Sequence, residues 1–140
     1  MRPAGVPQTF VNLKALQRYA TDFGLTLEGT DAPAALRERL DANVPAAQSV
    51  VSEIARYLVR GLSDITHLFN PDSVVIGGAL LPVLDAIVAE AAPALAQQMV
   101  PGLPPPRLIV SRIGAFECAI GAAALAHHEE LDLANIDLSA

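Results

Sequence analysis

The run from Ala47 to Leu68 constrains this chain more than any other stretch. Ala47, Val50, Val51, Ile54, Leu58, Leu62, Ile65 and Leu68 recur every three to four positions. That period belongs to an α-helix, because a half-buried strand alternates every second residue. Ser49, Ser52, Glu53, Arg56, Arg60, Ser63 and Asp64 fall on the other side. The sequence therefore predicts an amphipathic helix of about six turns. Such a helix must lay its apolar stripe against other elements. Asn70-Pro71-Asp72 ends it, since the residue before a proline avoids helical backbone.

Two shorter helices are predicted ahead of it. One runs from Thr9 to about Phe23, with Val11, Leu13, Leu16, Tyr19 and Ala20 at helical spacing and Gly24 as its stop. The second is capped by Thr30 or Asp31, carries Pro33 in its first turn and breaks at Asn43-Val44-Pro45. Beyond the long helix, Ser73 to Gly77 is short, β-branched and apolar, as a strand covered on both faces would be. A helix then starts near Leu80, with Val83, Leu84, Ile87, Val88, Ala91 and Leu95 as its buried stripe. Pro93 should kink it or split it at Ala92. Pro101 to Pro106 reads as a stiff loop, Arg107 to Ser111 as a second strand, and Ala119 to His127 as a small-residue helix. Residues 1–8 are expected to be irregular, and residues 129–140 to form an acidic, frayed tail.

The order is three helices followed by β-α-β-α. Two parallel strands with a crossover helix make one βαβ unit. Two strands alone make a poor sheet, so further strands or another subunit are expected beside them.

Composition narrows the functions. The chain has 140 residues, enough for a real core, and 52% of them are apolar, yet only 4% are aromatic. Much of the apolar share is alanine, which suits closely packed helices. The net charge is −6, with Lys14 as the single lysine. Nucleic-acid binding draws on clustered cations that neutralise phosphates, and no basic stripe is present to do so. Arg37 and Arg39 lie beside Glu38 and Asp41, and Arg56 and Arg60 beside Glu53 and Asp64, as solvated helix faces with local pairs. No apolar run approaches the roughly 20 residues that span a bilayer. The N-terminal residues Met1 to Gly5 do not resemble a signal peptide, and a lone cysteine, Cys118, excludes an internal disulfide framework. The expected compartment is the cytoplasm.

Chemistry-bearing features are few. In Ser73-Val74-Val75-Ile76-Gly77-Gly78-Ala79-Leu80 a strand runs into two glycines and a helix start. Glycines there let a ligand approach the backbone, and free N–H groups at a helix start favour anions. The same pattern also serves as a tight turn that binds nothing. Gly121, inside the last predicted helix, favours close approach of another backbone. Cys118, His127 and His128 are too few for a zinc site. Cys118 reads as a small buried residue, and Asp64 and His67 have the spacing of a local pair.

Taken together, Phe69 to Leu80, Pro101 to Ser111 and Ile120 to Leu125, in this order and after a long helix, resemble the C-terminal half of ROK proteins. That family comprises sugar-responsive repressors and sugar kinases. The resemblance covers about Asn12 to His127. It implies an α/β fold: the helix-rich C-terminal portion of an actin-like, ribonuclease H-like ATPase domain, with about two parallel strands and five helices. The partial ROK domain is then residues 9–128. Gly77 and Gly78 match the glycines that line the adenosine side of the family's nucleotide cleft. The family's phosphate loop, its sugar-activating aspartate and its zinc segment have no counterpart here, nor does a winged helix-turn-helix. No catalytic residue and no metal ligand is therefore assigned, and the chain alone is expected to be inactive.

Three functions follow from the resemblance. The chain is part of a ROK transcriptional regulator, giving structure, a dimer interface and part of an effector-sensing cleft. The stretch Cys118 to Leu125 favours that one. Alternatively it is part of an ATP-dependent sugar kinase, the one case in which ATP is a cofactor, or a non-catalytic helical interaction module. The expected partners are a second copy, an N-terminal domain of the full protein, and a sugar or sugar phosphate, with neither membrane nor nucleic acid bound by this chain.

Overall fold

The computed structural model describes residues 11–111. Four helices and two strands follow in the order α1 (Leu13–Asp22), α2 (Ala32–Asp41), α3 (Pro45–Phe69), β1 (Ser73–Ile76), α4 (Leu81–Gln98) and β2 (Arg107–Val110). The helix expected over Ala119 to His127 and the domain limits near residues 8 and 128 lie outside the described residues.

α1 begins later than the apolar pattern implied. Asn12 caps it, its Oδ1 accepting the Ala15 N–H at 2.8 Å, so one of the unpaired donors of the first turn is satisfied. At the other end Gly24 has φ +79. The Leu25 N–H reaches back to the Ala20 carbonyl at 2.7 Å and the Gly24 N–H to Thr21 at 3.0 Å. This is a Schellman stop, the role expected of Gly24. α2 ends the same way. Asn43 takes φ +54, and Val44 and Asn43 donate to the carbonyls of Arg39 and Leu40, each at 2.9 Å. Pro45 then opens α3 in its first turn, where a missing N–H costs nothing.

α3 is the spine of the core and packs on α4, α1 and α2. Ala47, Val50, Val51 and Ile54 are fully buried, as the periodicity predicted. Further along, the buried line passes to Ala55, Val59, Leu62 and Thr66, while Leu58 is half-buried. Ile65, Leu68 and Phe69 are 42%, 75% and 71% exposed, so the expectation that Ile65 and Leu68 belong to the core is corrected. Thr66 tolerates burial because its hydroxyl donates to the Leu62 carbonyl at 2.7 Å.

β1 and β2 pair in parallel with Ser73 opposite Arg107 and Ile76 opposite Val110, and α4 connects them. This is the βαβ unit expected. Val74, Ile76 and Leu108 pack on the core, whereas Val75 is 64% exposed. The strand pattern had implied cover on both faces; among the described residues one face is covered. α4 runs through Pro93 as one helix, so of the two effects expected of this proline, a kink or a split, the split does not occur. Pro93 and Ala89, whose carbonyl loses its usual partner, are both exposed, so water can take the place of the missing N–H.

Candidate functional site

The strand–Gly–Gly–helix segment forms the C-terminal rim of the two-stranded sheet. β1 ends at Ile76, Gly77 is exposed, and Gly78 takes φ +107. A side chain would meet no neighbouring atom at Gly78 within 4 Å. The backbone conformation, rather than space, is what calls for glycine there. Gly77 has no positive φ.

The start of α4 differs from an anion cradle. Leu81 donates its N–H to the Gly78 carbonyl at 3.1 Å, and Val83 to Leu80 at 3.0 Å. Pro82, between them, has no N–H. Leu80 caps the helix with no side-chain hydrogen bond. Two of the donors that usually attract a phosphate at a helix start are thus taken up within the turn, and a third is missing at Pro82. Asp85, in the second turn, adds negative charge. Its carboxyl is held below the usual carboxylate range chiefly by the hydrogen bond from Arg37, against the opposing effect of burial. What Gly77 and Gly78 present is open backbone surface, suited to a flat neutral group.

The remaining candidates separate. His67 is exposed, and its Nδ1 donates to the Ser63 carbonyl of its own helix at 2.7 Å. It turns to Ser63, so the Asp64–His67 pair suggested by their spacing is not made. Cys118, His127 and His128 lie outside the described residues. No group of three or more potential metal ligands gathers among the described residues.

Two features escaped the sequence reading. Tyr19 and Tyr57 stack with ring centroids 5.9 Å apart and planes within 6°. Arg18 lies over the first ring at 4.9 Å, and Arg56 over the second at 4.5 Å. Burial pushes the Tyr19 phenol up, partly offset by the hydrogen bond from Arg18. Arg56 also pairs with Glu53 at 2.7 Å. These are the only tyrosines in the chain, and each follows an arginine, a signal visible in advance. The second feature is an open groove of about 560 Å³ lined by Phe23, Pro45, Gln48, Ser52, Glu53 and Arg56, among others. It is remote from Gly77 and Gly78 in its lining residues.

Fold and turn together define a class: a helix-rich α/β unit with two parallel strands, built like part of a sugar-kinase fold. A ROK hexokinase from Thermus thermophilus superposes with a TM-score of 0.70 at 26% identity, covering 93% of this chain and 45% of that one. The chain thus spans less than half the length of that hexokinase. The ROK family model matches residues 8–129, and the chain belongs to the ROK family. No curated protein sequence matches it. No helix among the described residues is long and apolar enough to cross a membrane.

Proposed function

We propose that this chain supplies a scaffold wall of a ROK effector or nucleotide cleft, in a sugar-responsive transcriptional regulator. The observation that carries this reading is the Gly77–Gly78 turn. Its backbone is open to a ligand, while the amides of Leu81 and Val83 are already bonded within the turn. Such a wall suits the adenosine side of a nucleotide or the flat face of a sugar and contributes nothing to holding phosphates. Phosphoryl transfer needs a positioned base together with groups that hold metal and phosphates. Other parts of a longer ROK protein would provide them, as they would a DNA-reading element. The role is cytoplasmic, with a sugar or sugar phosphate as the effector of the full protein.

The likeness to a hexokinase favours a second reading, in which the same wall belongs to an ATP-dependent sugar kinase. The reading frame upstream of Met1 separates the two: a helix-turn-helix means a regulator, a phosphate loop a kinase. For the chain itself, calorimetry with ATP is expected to give no micromolar binding, and incubation with ATP and glucose no sugar phosphate. Micromolar ATP affinity abolished by Gly78→Val supports the kinase reading, and robust glucose phosphorylation by the chain alone defeats the scaffold assignment.

A further inference from the structure

Two hollows open along the polar side of α3. The larger, of about 560 Å³, lies between the end of α1 and the start of α3 and is walled by Phe23 and Pro45. It falls within the roughly 300–1,000 Å³ of small-molecule sites. The smaller, of about 280 Å³, lies between α3 and α4 and is lined by Glu90 and Gln98 on the α4 side. Ser52 and Arg56 line both, so the two hollows form one open groove.

This groove is at one end of α3, and the bare apolar surface that a longer chain would cover is at the other. Phe23, just past the end of α1, lines the groove together with Pro45 at the start of α3. Tyr19, about one turn earlier in α1, stacks on Tyr57, about three turns further along α3. α1 therefore runs antiparallel to α3, and Asn12, where the chain enters α1, lies toward the C-terminal half of α3. Ile65, Leu68 and Phe69, the exposed apolar residues of α3, are in that half as well.

The charges of the larger hollow cancel. Arg56 donates to both carboxylate oxygens of Glu53, from Nη2 at 2.7 Å and from Nε at 3.1 Å, and its guanidinium rests over the Tyr57 ring at 4.5 Å. Held on two sides, the pair needs little ordering when a ligand arrives. Gln48 donates from Nε2 to Glu90 at 3.1 Å, which leaves its carbonyl oxygen as an acceptor. Ser52 is half-buried where the hollows meet, and among the described residues its hydroxyl makes no hydrogen bond. A partner for that hydroxyl removes a desolvation cost. Phe23 stands beside these groups with its side chain 42% exposed. An ion gains little from a cancelled pair. A ligand with a flat C–H face for the ring and hydroxyls around its edge matches the lining. We propose that this groove binds a neutral hexopyranoside, with Phe23 against the sugar face and Gln48, Ser52 and the Glu53–Arg56 pair bonding its hydroxyls. The site is separate from the Gly77–Gly78 wall and holds under either functional reading.

The test is an NMR titration of the isotope-labelled 140-residue chain with the methyl pyranosides of glucose, mannose and galactose. At least one is expected to bind with a dissociation constant of about 1–10 mM. It should move the amide signals of Phe23, Gln48, Ser52 and Arg56 and leave those of Gly77 and Gly78 in place. Phe23→Ala and Ser52→Val should each weaken binding about fivefold or more, with circular dichroism unchanged, while Leu68→Ala, at the other end of α3, retains it. Glucose 6-phosphate should bind no more tightly than the neutral glycoside. No shifts from any of the three glycosides at about 50 mM overturn the proposal, and so do equal shifts from glycerol or binding indifferent to both variants. Shifts centred on Gly77 and Gly78 place the sugar at the other site and overturn it. A preference of about tenfold or more for the phosphate overturns the neutral ligand class.

Discussion

Arg37 on α2 reaches Asp85 on α4, its Nη1 2.8 Å from both carboxylate oxygens. Its Nε donates to Asp41 one turn along its own helix at 3.0 Å. One guanidinium thus ties two helices at the level of the Gly77–Gly78 turn's following helix. Both partners are well exposed, so the tie is screened by solvent and salt. Asp85 is depressed below its ordinary value of 3.8. A depressed acid stabilises the fold above the unfolded-state value and loses that contribution as pH falls through the folded-state value. Asp85→Asn should therefore lower the thermal midpoint slightly at neutral pH. The gap to wild type should close in acid, below the carboxylate range. A gap that widens on acidification contradicts the assignment.

Gly78→Ala should destabilise the chain by about 1–3 kcal/mol, since φ +107 is a conformation L side chains rarely adopt. Gly77→Ala, lacking that demand, should cost distinctly less. Urea denaturation of the two variants provides the comparison, and equal losses would remove the conformational explanation.

Leu62 and Leu68 test the change of face along α3. Leu62 is 3% exposed and Leu68 is 75% exposed. Leu62→Ala should cost about 2–5 kcal/mol, and Leu68→Ala about 0.5 kcal/mol or less. Comparable losses at both positions mean that Leu68 is covered.

Pro93 sits in the interior of α4 with its side chain exposed. Pro93→Ala restores a backbone donor without removing core packing. It should stabilise the chain by roughly 1–3 kcal/mol, read as a higher denaturation midpoint. No gain would mean that the helix is strained by something other than the proline.

Much of the fold could be read from the chain because local chemistry and tertiary packing agree. Gly24, Asn43 and Pro45 mark helix ends in the sequence and mark them in space. The Ala47–Ile54 stripe is buried in the core that α3 shares with α1, α2 and α4. Sequence periodicity cannot report where such neighbours stop, which is why Ile65 and Leu68 were expected inside. Asn12 is hidden as a cap in the sequence because Val11 extends the apolar pattern past it. The two glycines of the candidate site were evident as a turn. That the amides beyond them bond internally depends on backbone angles at Gly78 and Leu80, which residue types alone do not fix. The Arg37–Asp85 tie joins residues 48 positions apart, beyond the reach of any helical spacing rule.

The level register of β1 and β2 has a consequence for how the chain is threaded. Because Ser111 donates its N–H to the Ile76 carbonyl, the polypeptide leaves β2 on the same rim where Gly77 and Gly78 turn toward α4. The exit of one strand and the open turn of the other are neighbours separated by a single hydrogen-bonded step. Ser111, itself buried, thus stands far from the glycine turn in sequence but next to it in the molecule.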